Sequence, residues 1–121
     1  MIVGVGLDLV SVARAERMLS RHGARLLSRC CAPGEVLRPD DAGHVAGVLA
    51  AKEAAFKALG SGWGLGVGWR DPVVSRTSDG APRLTLTGAA ASLAETLGVR
   101  TAHLSITHAA GVAVAVVILE S

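Results

Sequence analysis

Three side chains in this sequence are of the right types to share one piece of chemistry: the carboxylates of Asp8 and Glu53 and the amine of Lys57. Paired oxygen donors suit a hard cation. Magnesium takes one or two carboxylates and completes its shell with phosphate oxygens and water. Lys52 and Lys57 add positive charge on the run Ala50-Ala51-Lys52-Glu53-Ala54-Ala55-Phe56-Lys57-Ala58-Leu59-Gly60. A glycine-rich stretch follows, and the backbone amides at Gly60 and Gly62 can approach a pyrophosphate. His108 can donate a hydrogen bond or carry charge near neutral pH, which suits a phosphate or a departing oxygen.

Each group also has a plainer reading. Asp8 can cap the helix that begins near Ser11. Glu53 can be a solvated helix former, paired one turn on with Lys57. The glycines can be a simple connector, since the loop follows a helix whereas Walker and Rossmann loops precede one. His108 can be structural. No Ser-His-Asp ordering and no His/Cys cluster with metal spacing is present.

The elements that must position these groups follow from periodicity. Ile2 to Val10 reads as a buried strand, with Val3, Val5, Leu7 and Leu9 on one face. Gly4, Gly6 and Asp8 share the other face, where the glycines leave open space beside the carboxylate. Ser11 is the expected N-cap of a helix to about Leu27. A second helix is expected from near Asp41 to near Gly60, with Val45, Val48, Leu49, Phe56 and Leu59 as its apolar stripe. Val73 to Arg76 and Arg83 to Thr87 read as strands around Ser78-Asp79-Gly80. Gly88 to Leu97 reads as a third helix closed by Gly98. Ala102 to His108 and Val112 to Leu119 read as a final hairpin around Ala109-Ala110-Gly111.

Composition narrows the function classes. The 121 residues suit one domain over 1–121, and half are hydrophobic, enough for a core without disulfides. A net charge of +2 is too small for a nucleic-acid-binding composition. Aromatics are limited to Phe56, Trp63 and Trp69, which argues against base-stacking platforms. Arg14, Arg17, Arg21 and Arg25 recur along one side of the first helix, as a solvated face or as a docking row for an acidic helical protein. Cys30 and Cys31 read as reduced thiols. The start lacks the basic residues that open a signal peptide, and Val112 to Leu119 is too short to span a bilayer. The expectation is a soluble, cytoplasmic protein that binds neither nucleic acid nor membrane.

Gly6-Leu7-Asp8, Ala50-Ala51-Lys52-Glu53-Ala54 and Ser105-Ile106-Thr107-His108 together resemble the signature of the 4'-phosphopantetheinyl transferases, of the short holo-acyl-carrier-protein synthase type. The resemblance spans nearly the whole chain. It implies an α+β fold, a mixed or antiparallel sheet packed on the long helix, and a homotrimer with active sites between subunits. It implies transfer of the 4'-phosphopantetheine arm from coenzyme A to a serine of an apo acyl carrier protein, with release of 3',5'-ADP. Asp8 and Glu53 then correspond to the magnesium ligands, and both act in catalysis with Lys57. Lys52, Lys57, Gly60, Gly62 and His108 correspond to the coenzyme A site, and Arg14, with Arg17 and Arg21, to the carrier-protein contact. Glu53, acting through a water, is the first choice of base. Glu35 falls where the family often has a Glu.

Two departures stand out. The family commonly has Arg-Phe before its Ala-Ala-Lys-Glu, where this chain has Val48-Leu49. The alternative to an enzyme is therefore a non-catalytic carrier-binding module of the same fold. The loop between Glu35 and the second helix is also short. Fatty-acid, polyketide and peptide-synthesis carriers all remain open as partners.

Overall fold

The structure, a computed structural model, describes residues 1–62 and 65–121. Trp63 and Gly64, in the expected glycine-rich loop, lie outside the described residues. In chain order the elements are β1 (Ile2–Ser11), α1 (Val12–His22), α2 (Ala24–Cys30), α3 (Ala42–Leu59), β2 (Pro72–Arg76), β3 (Pro82–Leu86), α4 (Gly88–Thr96), β4 (Thr101–Ala109) and β5 (Val112–Glu120). β5 lies between β1 and β4 in an antiparallel sheet, and β2 and β3 form a separate antiparallel hairpin. The fold is α+β, as expected, with a wholly antiparallel main sheet.

α3 is the axis of the molecule. Its alanine-rich sequence favours helix, and the Asp41 side chain caps it by accepting from the His44 N–H at 3.1 Å. The expected apolar stripe is too narrow a description. Val45 through Ala51 are buried on every side, as are Ala54, Ala55, Phe56, Ala58 and Leu59. The sheet covers one face, and α1 and the β2–β3 hairpin cover the others. Fully burying a side chain such as Val45 or Leu119 contributes about 1.5–3 kcal/mol.

β1 meets α3 through backbone. A Cβ on Gly6 would stand 1.8 Å from the Ala54 carbonyl oxygen, and one on Gly4 2.0 Å from that of Ala58. The space expected beside Asp8 is thus filled by the helix itself. Glycine opposite alanine lets strand and helix touch, and this brings position 8 against positions 53–57.

The expected burial of β1 is reversed on its other face. Val5, Leu7 and Leu9 are 56%, 59% and 57% exposed. They pair in register with Ile118, Val116 and Val114 of β5, so an apolar sheet face looks outward in the single chain. A period of two shows that these residues share a face, but not what covers it.

The expected first helix breaks at Gly23, which takes φ 53° and ends α1, and α2 then restarts. Only glycine takes that backbone conformation at little cost. Ser11 caps α1 as expected, its hydroxyl accepting from the Arg14 N–H at 3.0 Å. The final hairpin turns on Ala110 and Gly111, both at positive φ, as a two-residue turn with the right twist requires. No described helix is long and apolar enough to cross a membrane.

Candidate active site

Asp8, Glu53 and Lys57 converge where β1 crosses the C-terminal half of α3. The Lys57 ammonium donates to Asp8 Oδ1 at 2.8 Å and to the Leu7 carbonyl at 2.9 Å. Its ion pair is with Asp8 across the crossing, not with Glu53 one turn away. The hydrogen bond to Asp8 raises the Lys57 pKa above its usual value, so the amine stays charged. Asp8 Oδ2 is buried and accepts no hydrogen bond. The capping alternative for Asp8 fails, because Ser11 caps α1.

Glu53 is half-buried beside Asp8. Burial first, then the neighbouring Asp8 carboxylate, push its pKa up to about 7, while Arg14 and Lys57 oppose the shift. Two carboxylates sharing a partly desolvated site need positive charge between them, a proton or a cation. The orphaned Oδ2 of Asp8 beside Glu53 fits a divalent ion bound by two carboxylates. Among the described residues no cluster of three or more His, Cys, Asp or Glu could hold a metal by itself.

A cavity of about 160 Å³ opens beside Glu53, walled by Val10, Met18, Leu49 and Trp69, with Arg14 at its edge. Arg14 therefore stands at the site itself, while Arg17, Arg21 and Arg25 lie exposed along the same helix region. The wall residues Met18 and Trp69 carry no sequence signal that marks them. Larger depressions lie around the β2–β3 hairpin and α4, away from the carboxylates.

Not every expected residue joins this cluster. Lys52, expected to face the coenzyme, points into the interior, where its side chain is 0% exposed and pairs with Glu35 at 2.8 Å. One helical position separates Lys52 from Glu53, and a rotation of about 100° per residue sends the two to different sides of the helix. His108 lies on β4, with β5 between it and β1, and its Nε2–H donates to the Gly43 carbonyl at 3.0 Å. Gly60 and Gly62 take φ 72° and 51°, and a Cβ on either would meet no atom within 4 Å. Their conformation alone accounts for glycine, and the open space beside them remains accessible to a ligand.

The departure at position 48 falls in the core. Val48 is 0% exposed, so an arginine there would bury a charge, which is costly without a partner. Leu49 is a wall of the cavity beside Glu53.

Residues 4–117 match the family model described as the 4'-phosphopantetheinyl transferase superfamily. A holo-[acyl-carrier-protein] synthase of Anaeromyxobacter sp. (strain K) is 53% identical over 99% of this chain and 97% of its own length. The one from Solibacter usitatus is 44% identical over the full length of both. The crystal structure of the Helicobacter pylori synthase in complex with coenzyme A superposes with TM-score 0.86 at 35% identity, covering 96% of this chain and 99% of that one. That of Neisseria meningitidis superposes with TM-score 0.89 at 29% identity over the whole of both. With its Asp8–Glu53–Lys57 crossing set in a fold shared along the full chain, this protein belongs to the 4'-phosphopantetheinyl transferase superfamily.

Proposed function

We propose that this chain is a magnesium-dependent holo-acyl-carrier-protein synthase, moving the 4'-phosphopantetheine arm of coenzyme A onto a serine of an apo acyl carrier protein. The observation that carries this reading is the convergence of Asp8, Glu53 and Lys57, with a buried carboxylate oxygen left unpaired, in a chain of this family. Asp8 and Glu53 would hold the magnesium ion. Bound there, it neutralises charge on the phosphate oxygens.

The serine hydroxyl attacks the β-phosphorus of the coenzyme pyrophosphate. A new P–O bond forms, the bond to 3',5'-ADP breaks, and the serine proton leaves. Such a reaction depends on positioning and charge neutralisation. Lys57, charged and 56% exposed at its side chain, turns from Asp8 to a phosphate oxygen. Glu53 takes the serine proton through a water. Arg14 lies between site and surface, so Arg14, Arg17 and Arg21 would orient an acidic carrier protein with its serine toward Glu53.

The outward apolar face of β1 and β5 is the kind of surface that marks an interface. We assign it to assembly with further copies of this chain as a homotrimer in the cytoplasm. His108 lies two strands from Asp8 on the same sheet, and we assign it to a coenzyme site completed by another copy. The alternative of a non-catalytic module loses its one support, because Val48 is a core residue and not a surface ligand. Coenzyme A with magnesium is expected to raise the melting temperature, by about 2.7 kcal/mol of added stability at a hundredfold excess over Kd. Asp8→Ala is expected to lose the magnesium-dependent part. A wild-type melting point unmoved by coenzyme and magnesium together would contradict the proposal.

A further inference from the structure

We infer that the buried Glu35–Lys52 ion pair is a positioning device for the active site: through the backbone of Trp69 it holds one wall of the cavity beside Glu53. The inference rests on the transferase reading of that site.

The pair is fully satisfied and fully enclosed. The Lys52 ammonium uses all three donors, on Glu35 Oε1 at 2.8 Å, on the Trp69 carbonyl at 2.9 Å and on the Pro72 carbonyl. Glu35 in turn accepts from the Ala32 N–H at 2.9 Å and from the Val74 N–H. Both side chains are 0% exposed. These bonds tie α3 to the segment before it, to Trp69 and to β2 itself.

Stability alone does not account for such a pair. Taking two charges out of water costs several kcal/mol per ion, and apolar residues of similar volume often serve as well or better. Apolar contacts are non-directional, however, whereas the Lys52 bonds fix the positions of named carbonyls. One of those carbonyls belongs to Trp69. The Trp69 ring stands edge-on to Phe56, with centroids 5.2 Å apart and planes at 84°, and lines the cavity that Glu53 opens into. Lys52 and Glu53 are consecutive residues. A single turn of helix therefore presents the carboxylate to the cavity and the ammonium to the backbone of its wall.

The test is the double variant Glu35→Gln/Lys52→Met, made in a Trp63→Phe background so that Trp69 is the one fluorophore. It is expected to melt cooperatively, to shift the Trp69 emission to longer wavelength, and to lower kcat/KM for coenzyme A by between about tenfold and a hundredfold, chiefly in kcat. A folded double variant with parental emission and parental kinetics would overturn the inference. Should the double variant fail to fold, Trp69→Leu tests the same wall with the ion pair intact. The same kinetic loss is expected there, and parental kinetics in folded Trp69→Leu would equally overturn it. If the parent transfers no arm, the transferase reading fails instead, and the emission of the double variant decides the positioning claim alone.

Discussion

Lys57 and Asp8 stand forty-nine residues apart in sequence and 2.8 Å apart in space, joined across the crossing of β1 and α3. This contact exists because glycine on the strand meets alanine on the helix. It leaves the second oxygen of Asp8 buried and unpaired beside Glu53. A cation and a phosphate would thus find their ligands already in place.

Asp8→Ala and Glu53→Ala are each expected to lower the rate of arm transfer by about a hundredfold or more, because each removes preorganised charge at the reacting phosphate. Both should stay folded: Lys57 can return to water, and Glu53 is only half-buried. Purified variants with cooperative melts and near-parental transfer rates would refute the two-carboxylate site.

Glu53 makes stability depend on pH. Its folded-state pKa, about 7, is above the ordinary value of 4.5, mainly through burial. A raised carboxyl pKa favours the protonated folded form. That contribution is whole below pH 4.5 and is lost as the pH climbs through 7. With chelator present, Glu53→Gln is therefore expected to be more stable than wild type above pH 7, by about 1–2 kcal/mol after discounting for solvent screening. The advantage should vanish near pH 4.5 and shrink when magnesium is added. Urea titrations at both pH values would show it, and an equal difference at both would remove Glu53 as the cause.

Gly6→Ala tests the strand–helix contact. The added Cβ would stand 1.8 Å from a backbone carbonyl. Helix or strand must shift, at a cost of about 3 kcal/mol, and Lys57 moves away from Asp8. Loss of both stability and coenzyme-dependent stabilisation is expected in thermal melts. A melting point within a degree of wild type would contradict the close approach.

Val5→Glu places a charge on the outward apolar face, opposite the face that carries Asp8. Light scattering is expected to show trimer in the parent and monomer in the variant, with transfer lost if another copy completes the site. A parent that is monomeric yet active would refute assembly through this face.

Much of this site is legible in the sequence, and most of what is not depends on contacts between residues distant in it. Period-two and helical spacing put Asp8 on one strand face and Glu53 and Lys57 on one helix flank, and the family resemblance implies that the two faces meet. Ser11 is readable as a cap because capping is local, whereas Asp41 marks only the start of the long helix in the sequence. The break at Gly23 was missed because a lone glycine inside a helical pattern is often tolerated. The destination of Lys52 was missed because its partners, Glu35 and the carbonyls of Trp69 and Pro72, are distant in sequence. For the same reason the outward turn of Val5, Leu7 and Leu9 was unreadable: alternation fixes relative, not absolute, facing.

The most direct measurement is the intact mass of an apo acyl carrier protein after incubation with this chain, coenzyme A and magnesium, beside a chelator control. A gain of one phosphopantetheine arm, abolished by the chelator and by Asp8→Ala, is the expected result. No gain on fatty-acid, polyketide and peptide-synthesis carriers alike would contradict the proposed function.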